Sequence, residues 1–587
     1  MTHDSELEEF LRPHQMPAVS HPGDFFLTAC PGSGKTRSAA ARVASLIASG
    51  KRVAACSYTN TGTEQISAFL SGQLSTVVPS GSFVGTLHRF LLTYVFYPFA
   101  GLVTGCDGPH RLLLEEASQG RDVALGRNDR RAPVASFRFK PDGSVVYRGK
   151  LPLGFATEEP VSRLGGAQAS RLKIEAARNG LVTMDDSMYW ALQVLRRYPE
   201  LAIAVASRFD ELLVDEAQDT SEVQLACLCE LKTKGNLRSL VLVGDLDQSI
   251  YSFNGASPGG CADLVSTANL QTVPLTENHR SSQRICDATA HFRPRATPDT
   301  AVGPDRECPW SPELILYDIA RPGEAIDAFA ARLLELHVDA TAAAVLARTN
   351  DFVDELNGRP RIELSRRTRA LVRAAAIHGA GGTLGRRDLE GVEDVLAYLA
   401  WGTRAADAPT SEDGSLRAAA VSLVDSLSRS DCDFQSWVRS TASLAGTTAS
   451  QLANPLTHRA GQTIRAKAEW SEHRAADVLA PPRRALVART IHDVKGESID
   501  AVLVVAMPSA SPRHQAQSTS WNPVHVVMGN DDPEERRVIY VALTRARRYC
   551  AVAIPNSTPR NLIEGFQSGG FVVRPAQGTT SVAPPTA

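Results

Sequence analysis

With 587 residues, 43% of them apolar and 21% charged, the chain exceeds one hydrophobic core and lies in the globular range, which excludes wholesale disorder and a fibrous repeat. A formal net charge of −2 sets up no global field toward nucleic acid, so any such contact falls to local patches. The start "MTHDSELEEF" is acidic where a signal peptide is basic and then apolar, and no uncharged apolar run reaches about 18 residues, so a cytoplasmic protein without membrane contact is expected.

In chain order, several segments repeat one grammar: a short apolar, β-branched run, a loop of Gly, Asp, Ser or Thr, then a helix-like stretch. "DFFLTACPGSGKT" leads into "RSAAARVASLIASG", "RVAACSYTN" into "TGTEQISAFLSGQL", and "ELLVDEAQDT" into "SEVQLACLCELK". The alternation predicts an α/β fold of parallel sheets covered by helices, with ligand loops gathered at the carboxyl ends of strands. Between residues 95 and 185 the grammar lapses. There "ASFRFKPDGSVVYRGKL" predicts a β-hairpin about a Pro-Asp-Gly turn, flanked by Arg121, Arg127, Arg130 and Arg131, and "SMYWALQVLRRYPEL" predicts an amphipathic helix. A second β/α run starts at "PELILYDIA" and "AAAVLARTND", breaks off around residue 360 and returns at "RALVARTIHDVKG". The Ala-, Ser- and Arg-rich stretch between reads as a helical insertion, and from residue 567 the small, Pro-rich composition reads as a disordered tail. The ten cysteines include no C-x-x-C; Cys227 and Cys229 fall in a predicted helix and read as packed thiols.

"ACPGSGKT" follows an apolar strand and opens a helix, the context that a phosphate-binding loop needs. The loop runs Ala29, Cys30, Pro31, Gly32, Ser33, Gly34, Lys35, Thr36. Backbone N–H groups of Gly32 to Lys35 can cradle phosphates, Lys35 brings a point charge to the β and γ groups, and Thr36 can ligate Mg2+. Its partner is an acid at the end of another strand. In "LLVDEAQD", Asp215 is placed to hold Mg2+ and Glu216 to polarise an attacking water.

With "VDEAQDT" beside the phosphate loop, the chain closely resembles the UvrD/Rep branch of superfamily 1 DNA helicases. "PHQMPAV", "CSYTN", "GTLHRF", "LTENHRSS", "VLARTN", "ARTIHDVKGESIDAV" and "EERRVIYVALTRA" follow that family's motif order from about residue 11 to about residue 555. The resemblance implies two RecA-like P-loop NTPase domains, each carrying an inserted subdomain, with ATP and Mg2+ as cofactors. It places domain 1A at 1–94 and 186–279 around subdomain 1B at 95–185, domain 2A at 280–358 and 484–566 around subdomain 2B at 359–483, and the tail at 567–587. Single-stranded and tailed duplex DNA would be the substrates, with movement 3′ to 5′. The basic hairpin region and "RPRIELSRRTRALVR" would then face phosphates.

Residue by residue, the resemblance puts Gln15 on the adenine edge, His279 in the place of a stacking tyrosine, and Glu497 near the ribose, one place earlier than the family's usual acid. Gln248, Arg280 and Arg545 would sense the γ-phosphate, Arg545 sitting late in a helix capped by Asp532, Pro533 and Glu535. Tyr58, Thr59, Asn60, His88, Tyr251, Phe253 and His492 would meet DNA, Phe253 replacing the family's tryptophan, Asn254 an arginine and Thr61 a lysine. Asp245 and Asp247 would hold their loop. Compact relatives occur in anti-phage systems such as Gabija, so a DNA-responsive ATPase that regulates a partner nuclease is the alternative output. No room for a nuclease domain is expected after residue 567.

Overall fold

The structure is a computed structural model that describes residues 10–113, 121–126, 130–149, 151–250, 255–293, 298–360, 362–405, 408–409, 414–427, 431–480, 486–506 and 533–576. Two compact units emerge. One comprises Met1–Arg111, Val123–Arg348 and Arg489–Ala587, the other Leu112–Asp122 and Thr349–Ala488.

The larger unit contains two six-stranded sheets. The first is built from β1 (Phe25–Ala29), β2 (Val53–Ser57), β3 (Phe83–Thr86), β4 (Glu211–Asp215), β5 (Leu240–Gly244) and β6 (Gln271–Leu275), in the order β6-β1-β5-β4-β2-β3. All five pairings are parallel. Strands β2, β4 and β5 are buried at every position, which is why they read as unbroken apolar runs: helices cover both faces of such a sheet. The register aligns Thr28 with Gly244, Asp215 with Ser57, and Ser57 with Thr86, so the loops after these strands leave from one edge. A buried Arg42–Glu211 pair, 2.7 Å apart and 4% and 3% exposed, ties the helix Lys35–Ala48 to the start of β4. Arg42 also donates to the carbonyls of Ala18, Val19 and His21, and Glu211 accepts from Ser239. The pair is therefore saturated, the condition under which a buried charge is tolerated.

The second sheet holds β7 (Glu313–Tyr317), β8 (Ala343–Ala347), β9 (Ala488–Thr490), β10 (Ile499–Val505), β11 (Ala546–Pro555) and β12 (Val572–Pro575), in the order β9-β8-β10-β11-β7-β12. Its pairs β8–β10, β10–β11, β11–β7 and β7–β12 are parallel. Strand β12 corrects the tail assigned to residues 567–587: as far as residue 575 the chain is ordered by Phe571, which is buried and packs edge-on to Phe566 at 5.3 Å. Residues 577–587 lie outside the described set.

The lapse at 95–185 has its own small core of Val123, Leu125, Ala132, Val134, Phe137, Tyr147, Val161 and Ala169. Phe137–Phe139 and Val145–Tyr147 form the antiparallel hairpin that its sequence predicts. Its turn is fixed by Gly143 at φ 86 and by Asp142, whose carboxylate accepts from the Ser144 N–H and hydroxyl. The helix Met184–Arg197 follows, capped by Thr183.

The smaller unit is helical around a core that includes Leu371, Val395, Leu396, Leu423, Phe434, Trp437 and Trp470. It runs from residue 349 to 488, wider than the 359–483 expected, because the helix Asn350–Leu356 joins it: Arg369 of the helix Arg366–Gly379 pairs with Asp351 and Asp354.

Candidate active site

After β1 the chain turns through Cys30, Pro31, Gly32, Ser33 and Gly34 into the helix Lys35–Ala48. Gly32 at φ 73 and Gly34 at φ 84 occupy the left-handed region that a side chain disfavours. Space forbids one too: a Cβ on Gly32 would lie 2.6 Å from Arg280 Cβ, and one on Gly34 would lie 2.1 Å from Gln15 Nε2. Ser33 is buried, its hydroxyl donating to the Cys30 carbonyl at 2.8 Å. Lys35 is only 9% exposed, and among the described residues it has no ion-pair partner. A buried ammonium in no direct ion pair among the described residues, at the N-terminus of a helix that no side chain caps, fits a phosphate.

Thr36 Oγ1 donates to Asp215 Oδ2 at 2.9 Å, which joins the phosphate loop to the end of β4. Burial and the neighbouring Glu216 charge push the Asp215 carboxyl well above the usual range. A hydroxyl and a buried carboxylate so placed form a donor set that suits Mg2+. Glu216 adopts φ 54 and accepts from the Gln218 amide, with Lys495 Nζ 4.0 Å away. Burial works to raise its carboxyl, but Lys495, Lys35, the Gln218 amide and Arg545 outweigh it, so Glu216 stays ionised.

Gln248, in the 3-10 turn Leu246–Gln248 after β5, donates to Asp245 Oδ2 at 2.7 Å and accepts from Arg545 Nη2 at 2.8 Å. Asp245 also accepts from the Asp247 N–H, and Arg293 bridges Asp247 to Asp299, so the two aspartates hold the loop as expected. Arg545 differs from expectation in its setting. The helix Pro533–Leu543 ends before it, and its Nε donates back to the Val541 carbonyl, so the arginine closes the helix C-terminus as well as reaching Gln248. Asp532 and the side chains of Pro533 and Glu535 lie outside the described set. Arg280 lies against Gly32, its guanidinium bonded to Ser498 Oγ at 2.8 Å and the Thr544 carbonyl at 2.9 Å. Burial and then the nearby Arg545 charge depress its pKa to about 9. The two guanidiniums thus lie close enough beside this loop to repel each other.

Sequence reasoning missed three members of this cluster. Gln218 donates to Glu216, accepts from the Asp245 N–H at 3.1 Å and, through its carbonyl, from Ser249 Oγ at 3.0 Å, so it connects the loops after β4 and β5. Lys495, from the segment after β9, pairs with fully buried Asp219, whose carboxyl burial pushes up to about 6 against that charge. The letters of "VDEAQDT" and "HDVKG" contain all three, but nothing in their spacing marks which side chains turn inward.

The expected base-binding residues form a second group. Gln15 is 1% exposed, with Nε2 donating to the Ser33 carbonyl at 2.8 Å and Oε1 accepting from the Arg12 N–H at 3.1 Å. His279 donates its backbone N–H to the Gly32 carbonyl, and its ring stacks on His14 at 4.7 Å. Glu497 is held by Arg489 at 3.0 Å.

Of the expected DNA-contacting residues, Tyr58, Thr59 and Asn60 follow β2, His88 follows β3 and His492 follows β9, all at carboxyl ends of strands. Thr59 caps the helix Asn60–Ala68 by accepting from the Gly62 N–H, Asn60 is exposed, and Tyr58 and His88 are partly exposed. His492 is partly buried, Nε2 lying 3.4 Å from the Ile250 carbonyl. Tyr251, Phe253, Asn254 and Arg127 lie outside the described residues. Arg121, Arg130 and Arg131 are exposed. In "RPRIELSRRTRALVR", by contrast, Arg359, Arg366, Arg369 and Arg373 pair with carboxylates and Arg367 lies over the Tyr398 ring. Arg361 of that segment lies outside the described residues.

Residues 11–98 and 153–267 match the UvrD/REP helicase N-terminal domain. In these two segments the chain is similar to the UvrD/Rep helicase N-terminal domain. The break in the match, 99–152, falls within the inserted hairpin region. A protein named ATP-dependent DNA helicase UvrD1 from Mycobacterium leprae is 27% identical over 314 residues, covering 49% of this chain and 40% of that protein. ATP-dependent DNA helicase PcrA from Leuconostoc citreum is 26% identical, covering 45% and 36%. One polypeptide of an ATP-dependent helicase/nuclease from Geobacillus kaustophilus is 32% identical, covering 35% and 17%. The aligned part of this UvrD/Rep-like chain thus spans well under half the length of the curated relatives it matches. Among the described residues no helix is long and apolar enough to cross a membrane.

Proposed function

We propose that the chain is an ATP-hydrolysing motor that moves 3′ to 5′ on single-stranded DNA and separates duplex strands. The observation that carries the reading is the arrival of Arg280, Lys495 and Arg545, all from segments bordering the second sheet, at the phosphate loop and at Glu216, Asp219 and Gln248 of the first. A loose phosphoryl-transfer transition state spreads negative charge over the γ oxygens, and cations delivered from a second body stabilise it only when the two bodies are together. Mg2+, held by Thr36 and Asp215, would neutralise charge on the β and γ phosphates. Lys35 binds those phosphates, ionised Glu216 orients and polarises the attacking water, and Gln248 transmits the state of the site to the loop that runs on to Tyr251 and Phe253. The names of the relatives support DNA as the substrate.

The test is ATP hydrolysis with and without single-stranded DNA, using Lys35→Ala and Glu216→Gln as inactive controls. Stimulation of the wild type, and its loss in both variants, is expected. Equal hydrolysis with and without DNA would remove the DNA-coupled reading.

A further inference from the structure

Glu216 has to aim a carboxylate at water, yet its backbone sits at φ 54, a region that side chains disfavour. A backbone of that kind persists only where its surroundings fix it. The main chain is fixed locally: the Glu216 N–H donates to Asp215 Oδ1 at 2.9 Å, and the Glu216 carbonyl accepts from the Asp219 N–H at 3.0 Å. The carboxylate is held separately. Gln218, fully buried, donates its Nε2 to Glu216 Oε2, whereas Lys495 Nζ at 4.0 Å is beyond hydrogen-bond reach.

The other partner of Gln218 settles which end of its amide faces the carboxylate. Oε1 accepts at 3.1 Å from the Asp245 N–H, a group that can only donate, so the amide nitrogen faces Glu216, with Asp219 Oδ2 3.5 Å away. One side chain therefore joins the Glu216 carboxylate to the backbone that opens the turn Leu246–Gln248. The Gln218 carbonyl, accepting from Ser249 Oγ at 3.0 Å, ties down the far side of the same turn. Gly244 leaves room for the joint, since a Cβ there would stand 2.4 Å from Gln218 Oε1. We propose that Gln218 is a positioning residue for hydrolysis: through its amide the backbone of Asp245 sets where the Glu216 carboxylate points, so a shift of the loop after β5 changes the rate of the chemical step and leaves nucleotide binding as it was. Misplacement of a reacting group by about 1 Å can cost on the order of 100-fold in rate.

This role rests on the ATP-hydrolysing reading above, whose own test is turnover by the wild type. Two variants break the joint from opposite ends. Gln218→Met keeps the length of the side chain and removes both of its bonds. Gly244→Ala, at a backbone position outside the left-handed region, keeps the amide and pushes it off the Asp245 N–H. Steady-state hydrolysis is expected to show kcat at least about 10-fold lower in each variant, with KM for ATP within about 2-fold of the wild type. Far-ultraviolet circular dichroism checks that both fold. Added to Glu216→Gln and followed in single turnovers, Gln218→Met is expected to cost nothing further, because a residue that acts through Glu216 has nothing left to position. An unchanged kcat in either folded variant would overturn the proposal. So would a rise in KM that accounts for the loss, which marks a reshaped phosphate loop, or a loss that adds in full to that of Glu216→Gln. A wild type that hydrolyses no ATP would remove the ATP reading and this role together, whereas wild-type turnover matched by both variants would remove the role alone.

Discussion

Gly34 tolerates no side chain for two separate reasons, its positive φ and the Gln15 amide 2.1 Å from where a Cβ would stand. Gly34→Ala must therefore displace Gln15 or reshape the loop. Nucleotide affinity measured by fluorescence titration is expected to fall at least about 10-fold, and an unchanged affinity would show that the loop does not hold phosphate. Arg545 acts on the transition state in the proposed reaction, so Arg545→Ala is expected to lower kcat by on the order of 10³-fold with a small change in KM. His492 bears on stability instead. Burial, reinforced by Arg348 and Lys495 against Ile250 and Asp493, pulls its imidazole down to about 4. The unfolded chain takes up this proton as pH falls through about 6.5 and the folded chain only near 4, so stability is lost across that window, by on the order of 3 kcal/mol. Denaturant titration of His492→Gln should show a shallower decline between those limits than the wild type.

At the scale of elements, the parallel sheets were legible because strands buried on both faces spell short continuous apolar runs, as "LLV" within "ELLVD" and "LVLV" within "LVLVG" do. The Pro-Asp-Gly hairpin was legible because glycine and aspartate act locally there. Strand β12 was not: Val572 and Val573 sit among Gly, Pro and Arg, and only pairing with Glu313 and Leu314 of β7, far away in sequence, makes them a strand. The setting of Arg545 was hidden for a similar reason, because where its helix ends depends on the start of β11. The turn from Cys30 to Gly34 and an acid at the end of β4 could be placed from residues alone, while the inward positions of Gln218, Asp219 and Lys495 needed the fold. Arg42 and Glu211 offer the sharpest stability test of the first sheet. Arg42→Ala leaves Glu211 buried and unpaired, and chemical denaturation is expected to report a loss of about 3–5 kcal/mol.

At the scale of the whole molecule, the larger unit brings cations of the second sheet's segments to acids and an amide of the first. Arg545 with Gln248 and Lys495 with Asp219 are contacts that a motor makes and breaks if its sheets separate between turnovers. In the proposed motor this alternation drives strand separation with one polarity. Its most direct measurement is unwinding of duplexes bearing a 3′ or a 5′ single-stranded tail, in ATP and Mg2+, beside the Glu216→Gln variant. ATP-dependent separation of the 3′-tailed duplex alone is expected, and none by the variant. Hydrolysis stimulated by single strands with neither duplex opened would contradict it and point to the signalling ATPase, and preferential opening of the 5′-tailed duplex would contradict the polarity.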